Sequence, residues 1–188
     1  MTREEIIAKG KEVIRIEAES VANLVERVGK DFADAVEIIY KSKGRVVLTG
    51  MGKSGLIARK IVATMNSTGT AAIYLHPTDA LHGDLGMVRK EDVVIIISKS
   101  GATDELARLF PMFKRLGVKI IAMSGNKDSD LSVESDIFLN ISVKEEACPH
   151  DLAPTSSTTA TLAMGDALAV ALLEKRNFTV EDLSLIHI

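Results

Sequence analysis

V-V-I-I-I-S-K-S-G-A-T-D-E-L, residues 93–106, decides the fold: five β-branched apolar residues run into a loop of hydroxyls and glycine, and that loop runs into a helical pattern. A short apolar run bounded by turn residues reads as a strand buried on both faces, as in the middle of a parallel sheet. The loop leaving it is chemically rich. Hydroxyls of Ser98, Ser100 and Thr103 meet the unpaired N–H groups and partial positive charge of a helix start, which together suit a compact dianion such as phosphate. Gly101 lets the backbone come close to a ligand, and Glu105 lies about one helical turn along, within reach of a group attached to a bound phosphate. Simple capping of the helix by Ser100 and Thr103 accounts for the same residues.

Outward from this stretch the alternation repeats. R-V-V-L-T-G at 45–50 is a further strand, and strands are expected at 71–75, 93–98, 118–124 and 136–141, with helices at 53–66, 103–116 and 157–176. Short apolar strands alternating with helices predict a parallel, doubly wound α/β sheet, whose crevice lies beyond the strands' carboxyl ends where the strand order reverses. The loops 50–55, 76–84, 98–105, 124–128 and 142–151 all follow a strand. Upstream, Ile7, Ile14, Val21 and Val28 recur at sevens. An amphipathic helix is therefore expected over 3–28, with one face seeking burial on this domain or on a neighbouring subunit. A second helix is expected over 31–40. Residues 1–188 read as one domain without repeats.

Composition narrows the function. With 188 residues, 46% hydrophobic, the chain is long enough for one well-cored domain. A net charge of -3 and 4% aromatic residues argue against a basic, base-stacking surface, so nucleic acid is not an expected partner. No apolar run approaches the roughly 20 residues of a membrane span, and the opening M-T-R-E-E-I-I-A-K-G lacks the apolar centre of a signal peptide. A cytoplasmic protein without membrane contact is expected. Cys148 is the only cysteine, which excludes an intrachain disulfide and a cysteine-based zinc site; it reads as a small, half-buried side chain.

G-M-G-K-S-G at 50–55 matches a dinucleotide fingerprint in letters and contains G-K-S. Both nucleotide readings fail. The next strand ends in Leu75-His76-Pro77 instead of an acidic residue, and the first glycine of a Walker loop falls on Val47. What remains is a turn in which Gly52 presents Lys53 and Ser54 at a helix start, where an ammonium can meet phosphate or an oxyanion. H-P-T-D-A-L-H-G-D-L-G at 76–86 carries two imidazoles at a spacing unlike a zinc site, so substrate contacts rank above a metal, with His82 the stronger candidate. Glu145 and Glu146 are a solvated acid pair or crevice carboxylates. Ser156 and Ser157 cap the last helix, and their hydroxyls also suit a crevice wall.

S-x-S-G-x-T at 98–103 on this alternating pattern resembles the sugar isomerase (SIS) family of phosphosugar-binding domains. G-M-G-K-S-G at 50–55, L-H-G-D-L-G-M-V at 81–88 and A-P-T-S-S-T-T-A-T-L-A-M-G-D-A-L-A-V-A-L at 153–172 resemble its arabinose 5-phosphate isomerases more narrowly. The resemblance implies a three-layer αβα sandwich of flavodoxin type with a five-stranded parallel sheet. It implies exchange of D-ribulose 5-phosphate and D-arabinose 5-phosphate through an enediolate, feeding Kdo and lipopolysaccharide synthesis, in a homotetramer that needs no cofactor. It assigns a functional lysine to Lys53, the base to Glu105, a second glutamate to Glu146, a substrate histidine to His82 and an inhibitory or adventitious zinc histidine to His76. A last histidine, in F-T-x-E-D-x-x-L-x-H, falls on His187, although the family's following P-G-G is replaced by Ile188 alone. Longer members carry two CBS modules after this point. None stands in this sequence, so control by CMP-Kdo at the crevice is the expected alternative. An isomerase of heptose or hexulose phosphates, or a non-catalytic sugar-phosphate sensor, remains open.

Overall fold

The computed structural model describes residues 1–179 and 181–182. Its elements run α1 (Arg3–Ala22), α2 (Lys30–Lys41), β1 (Val46–Gly50), α3 (Gly52–Ser67), β2 (Ala72–Tyr74), α4 (Pro77–Leu81), β3 (Val93–Ser98), α5 (Asp104–Leu116), β4 (Lys119–Ser124), α6 (Asp130–Glu134), β5 (Ile137–Asn140) and α7 (Ser156–Lys175). The strands form one parallel sheet in the order β2-β1-β3-β4-β5. The expected α/β architecture is therefore present. Val and Ile dominate β3 because both of its faces are covered. Val46, Leu48, Ile95 and Ile97 pack under α3 and α7 through Ile61, Met65, Met164 and Leu168, while Val47, Val94 and Ile96 face Leu106, Leu109 and Phe113 of α5.

Two sequence expectations need correction. Helix 3–28 is not continuous: α1 ends at Ala22, and a tight turn at Val25–Arg27 follows. The break folds Leu24 into the core at 5% exposed, while Ile7 and Ile14 stay 57% and 69% exposed. The C-terminal part of α1 lies on α7, where Thr159 donates a 2.9 Å hydrogen bond to Glu17. The second correction is α7, whose 20 residues are long and apolar enough to cross a membrane by length and composition alone. Half of that stretch is buried inside the fold, so its apolarity belongs to the core.

The topology positions the site. In the order 2-1-3-4-5 the chain reverses direction across the sheet between β1 and β3, so the loops leaving these two strands diverge and open a crevice. Gly50 is the register partner of Ile97, which sets the turn carrying Lys53 beside the loop that begins at Ser98.

Candidate active site

The 98–103 loop is built from inside by its own hydroxyls. Ser98, 4% exposed, accepts the Gly101 N–H at 3.0 Å, and its Oγ lies 3.3 Å from the Thr103 Oγ1. Ser100 is exposed and accepts the Ala102 N–H at 3.3 Å. Gly101 takes φ 71°, and a Cβ there would stand 2.1 Å from the Ser129 Oγ, so both conformation and space demand glycine. The loop after β4 braces the other side: Gly125 donates to the Lys99 carbonyl at 3.1 Å and Asn126 to the Ser100 carbonyl at 3.3 Å. Thr103 is the N-cap residue of α5, yet its side chain makes no capping bond. The α3 start likewise lacks a side-chain cap. First-turn N–H groups at both helices bordering the switch point are thus left for a ligand. Glu105, half-buried in the first turn of α5, receives no hydrogen bond or ion pair from the described residues.

Glu146 is the opposite. Its side chain is fully shielded, Oε1 accepts the Lys99 ammonium at 2.6 Å, and Oε2 accepts the Thr155 N–H at 2.8 Å, the Thr155 hydroxyl at 3.2 Å and the Ser157 N–H at 3.1 Å. Burial pushes this carboxyl upward, but donors from Lys99, Ser157 and Thr155 outweigh it and hold the pKa at about 2. The cap of α7 is therefore Glu146, and Thr155 is the N-cap residue in place of the expected serines. Ser156 and Ser157 lie at 0% and 3% exposed, with the Ser156 Oγ unpartnered. Asp151 reaches back to accept the Glu146 N–H at 3.0 Å from a turn in which His150 and Asp151 take φ 59° and 53°. Two successive left-handed residues store strain that the Asp151 contact offsets. Cys148 beside them is half-buried and free.

Lys53 stands exposed in the first turn of α3, after Gly52 at φ 54°, and Ser54 beside it is half-buried. No described residue pairs with its ammonium. Beneath the turn, the Tyr74 hydroxyl donates to the Gly50 carbonyl at 2.8 Å. His82 ends α4, exposed, and α4 packs against α5. His76 is half-buried with its Nδ1 unpartnered, 3.8 Å from an Asp79 oxygen. Among the described residues no three His, Cys, Asp or Glu side chains gather to hold a metal. His187 lies outside the described residues. A groove of about 520 Å3 between α5 and α6 shares Gly101 and Thr103 with the loop but contains neither Lys53 nor Glu105.

Sequence reasoning missed Lys99, Tyr74 and Asp151. A lysine between two serines in a loop reads as solvated. No local signal joins Lys99 to Glu146, which lies 47 positions away.

Fold and loops define a class: a doubly wound α/β protein with an open Ser/Thr-Gly loop at its switch point. Residues 38–171 match the SIS domain model, and the chain belongs to that family. It is 50% identical over 183 residues to arabinose 5-phosphate isomerase KdsD of Pseudomonas aeruginosa, covering 97% of this chain and 56% of that protein. To KdsD of Escherichia coli K12 it is 53% identical over 178 residues, covering 95% of this chain and 54% of that protein. The chain thus spans about half the length of the curated relatives it matches. The solved structure of Escherichia coli CFT073 c3406 in complex with arabinose 5-phosphate superposes with a TM-score of 0.96 at 40% identity, covering 100% of both chains.

Proposed function

We propose that this chain is an aldose-ketose isomerase that interconverts D-arabinose 5-phosphate and D-ribulose 5-phosphate. One observation carries the reading: the unpaired Lys53 and the Ser/Thr-Gly loop with the unpaired Glu105 leave adjacent strands at one switch point. The KdsD relatives and the sugar-phosphate complex of c3406 supply the substrate.

In this mechanism Ser100, Thr103 and the first-turn N–H groups of α5 hold the phosphate, with Ser98 shaping the loop from within. Binding of this remote group fixes the reacting carbons near the base. Glu105 takes the proton from C2 of the open-chain aldose, the carbonyl electrons move to O1, and Lys53 stabilises the resulting enediolate. Return of a proton to C1, with transfer of the O2 proton to O1, gives the ketose. His82 and His187 are the assigned helpers in ring opening and in proton transfer between oxygens. Gly52 and Ser54 shape the lysine turn. Ser156 and Ser157 contribute through the α7 start, and Glu146 acts through the loop it holds. His76 is the assigned point for an inhibitory zinc ion.

The same reading treats residues 1–188 as one cytoplasmic domain that assembles as a homotetramer, with the exposed Ile7 and Ile14 as contact residues. No cofactor takes part. CMP-Kdo, whose sugar derives from this substrate, is the proposed feedback ligand, competing at the crevice.

The deciding experiment assays purified protein against pentose, hexose and heptose phosphates in deuterated water. Conversion of arabinose 5-phosphate without added cofactor, with solvent deuterium entering the product, is expected. Preference for a heptose or hexulose phosphate, or strict dependence on a divalent metal, would overturn the reading.

A further inference from the structure

Lys99 sits inside the phosphate loop, yet its side chain leaves that loop. Its stem is half exposed, and its ammonium ends 2.6 Å from Oε1 of a carboxylate with no solvent exposure. The second oxygen of Glu146 is already committed to Thr155 and Ser157. Lys99 is therefore the full counter-charge that the described residues bring to this buried anion. A buried carboxylate without such a partner is strongly destabilising. The contact also has a mechanical side. Backbone carbonyls of Lys99 and Ser100 tie the loop to Gly125 and Asn126, and the Lys99 side chain ties it to the start of α7. Ser100 and Gly101, which the proposed function sets against the phosphate, hang between these two anchorages.

We propose that Lys99 is a positioning residue: its ammonium clamps the loop to Glu146 and cancels a buried negative charge beside the place where a dianion must bind. This rests on the reading of 98–103 as a phosphate loop. Without Lys99 the loop loses one anchorage and an uncompensated carboxylate repels the incoming phosphate. Binding then suffers more than chemistry, because the Lys99 side chain is committed to Glu146 and makes no hydrogen bond or ion pair with Glu105.

The test measures calorimetric affinity for inorganic phosphate, and KM and kcat for arabinose 5-phosphate, in Lys99→Met, Lys99→Arg and the double variant Lys99→Met/Glu146→Gln. Lys99→Met is expected to weaken phosphate binding and raise KM about tenfold, with kcat changed less than about threefold. Lys99→Arg keeps the charge and recovers most of the loss. The double variant removes the orphaned anion and binds phosphate more tightly than Lys99→Met alone, while staying weaker than wild type because the clamp is still missing. It also serves if Lys99→Met fails to fold, since it buries no unpaired charge; phosphate affinity still several-fold below wild type in the double variant then supports the clamp, and wild-type affinity there overturns it. Unchanged phosphate affinity in Lys99→Met, or an arginine variant no better than methionine, overturns it. If the wild type turns over no sugar phosphate but Lys99→Met still loses phosphate affinity, the proposed reaction fails and the positioning role stands.

Discussion

Two lysine–glutamate pairs stand in the loops and helix starts that follow the strands, and they live under opposite conditions. Lys53 and Glu105 occupy the first turns of α3 and α5 without a charged partner among the described residues. Lys99 and Glu146 hold each other at 2.6 Å, with the carboxylate fully shielded. A group that must accept a proton or meet a transient charge needs open coordination, because every hydrogen bond to a carboxylate lowers its affinity for a proton. A group that must hold two segments together needs the reverse. In the proposed mechanism chemistry falls to the free pair and architecture to the held pair.

The largest effect expected from this division is in Glu105→Gln. The amide keeps size and hydrogen bonding but removes the base, so turnover of arabinose 5-phosphate should fall by about two orders of magnitude or more while phosphate affinity changes little. Near-normal turnover in steady-state assays would break the comparison, since the remaining crevice glutamate would then have to act as base despite its donors.

The held pair makes a second prediction, in acid. Glu146 sits at about 2 in the folded chain against an ordinary 4.5, so it binds its proton more weakly folded than unfolded. Its stabilisation is present above pH 4.5 and is lost as pH falls from there through about 2. Glu146→Gln should therefore be destabilised near neutrality by a few kcal/mol, and the gap to wild type should close on acidification. Urea unfolding midpoints measured over this range check it. A gap independent of pH would mean that the cost is one of packing rather than of charge.

The sheet was legible because it rests on local pattern. Val93–Ser98 begins and ends where its sequence predicts, and the other strands agree within a residue at each end. The positions of Lys53 and Glu105 were legible for a related reason, since each sits in the first turn of a helix that follows a strand. The short helices α4 and α6 went unread because five residues show no helical period. The break after Ala22 went unread because sevenfold spacing continues across it, while burial of Leu24 decides the turn. The Lys99–Glu146 pair spans 47 positions, and nothing in either neighbourhood points to the other. Long-range pairing of charges is a property of the folded topology.

The smallest effect sharpens the comparison at Lys53, because a free group still needs a firm base. The Tyr74 hydroxyl donates to the Gly50 carbonyl, and Gly55 leaves it room, since a Cβ there would stand 2.5 Å from that hydroxyl. Burial raises the phenol pKa, the Arg59 guanidinium 4.3 Å above the ring offsets part of that, and the hydroxyl remains a donor at neutral pH. Tyr74→Phe removes one partly buried hydrogen bond while keeping the ring, which should destabilise the fold by about 1 kcal/mol and lower the melting temperature by about 2–4 °C. The Gly50 turn should loosen, so kcat should fall a few-fold with KM for arabinose 5-phosphate nearly constant, the reverse of the pattern expected for Lys99→Met. If KM rises instead, the β1–α3 turn contributes to binding the phosphate as much as to the enediolate. The division of labour would then run between the two glutamates alone.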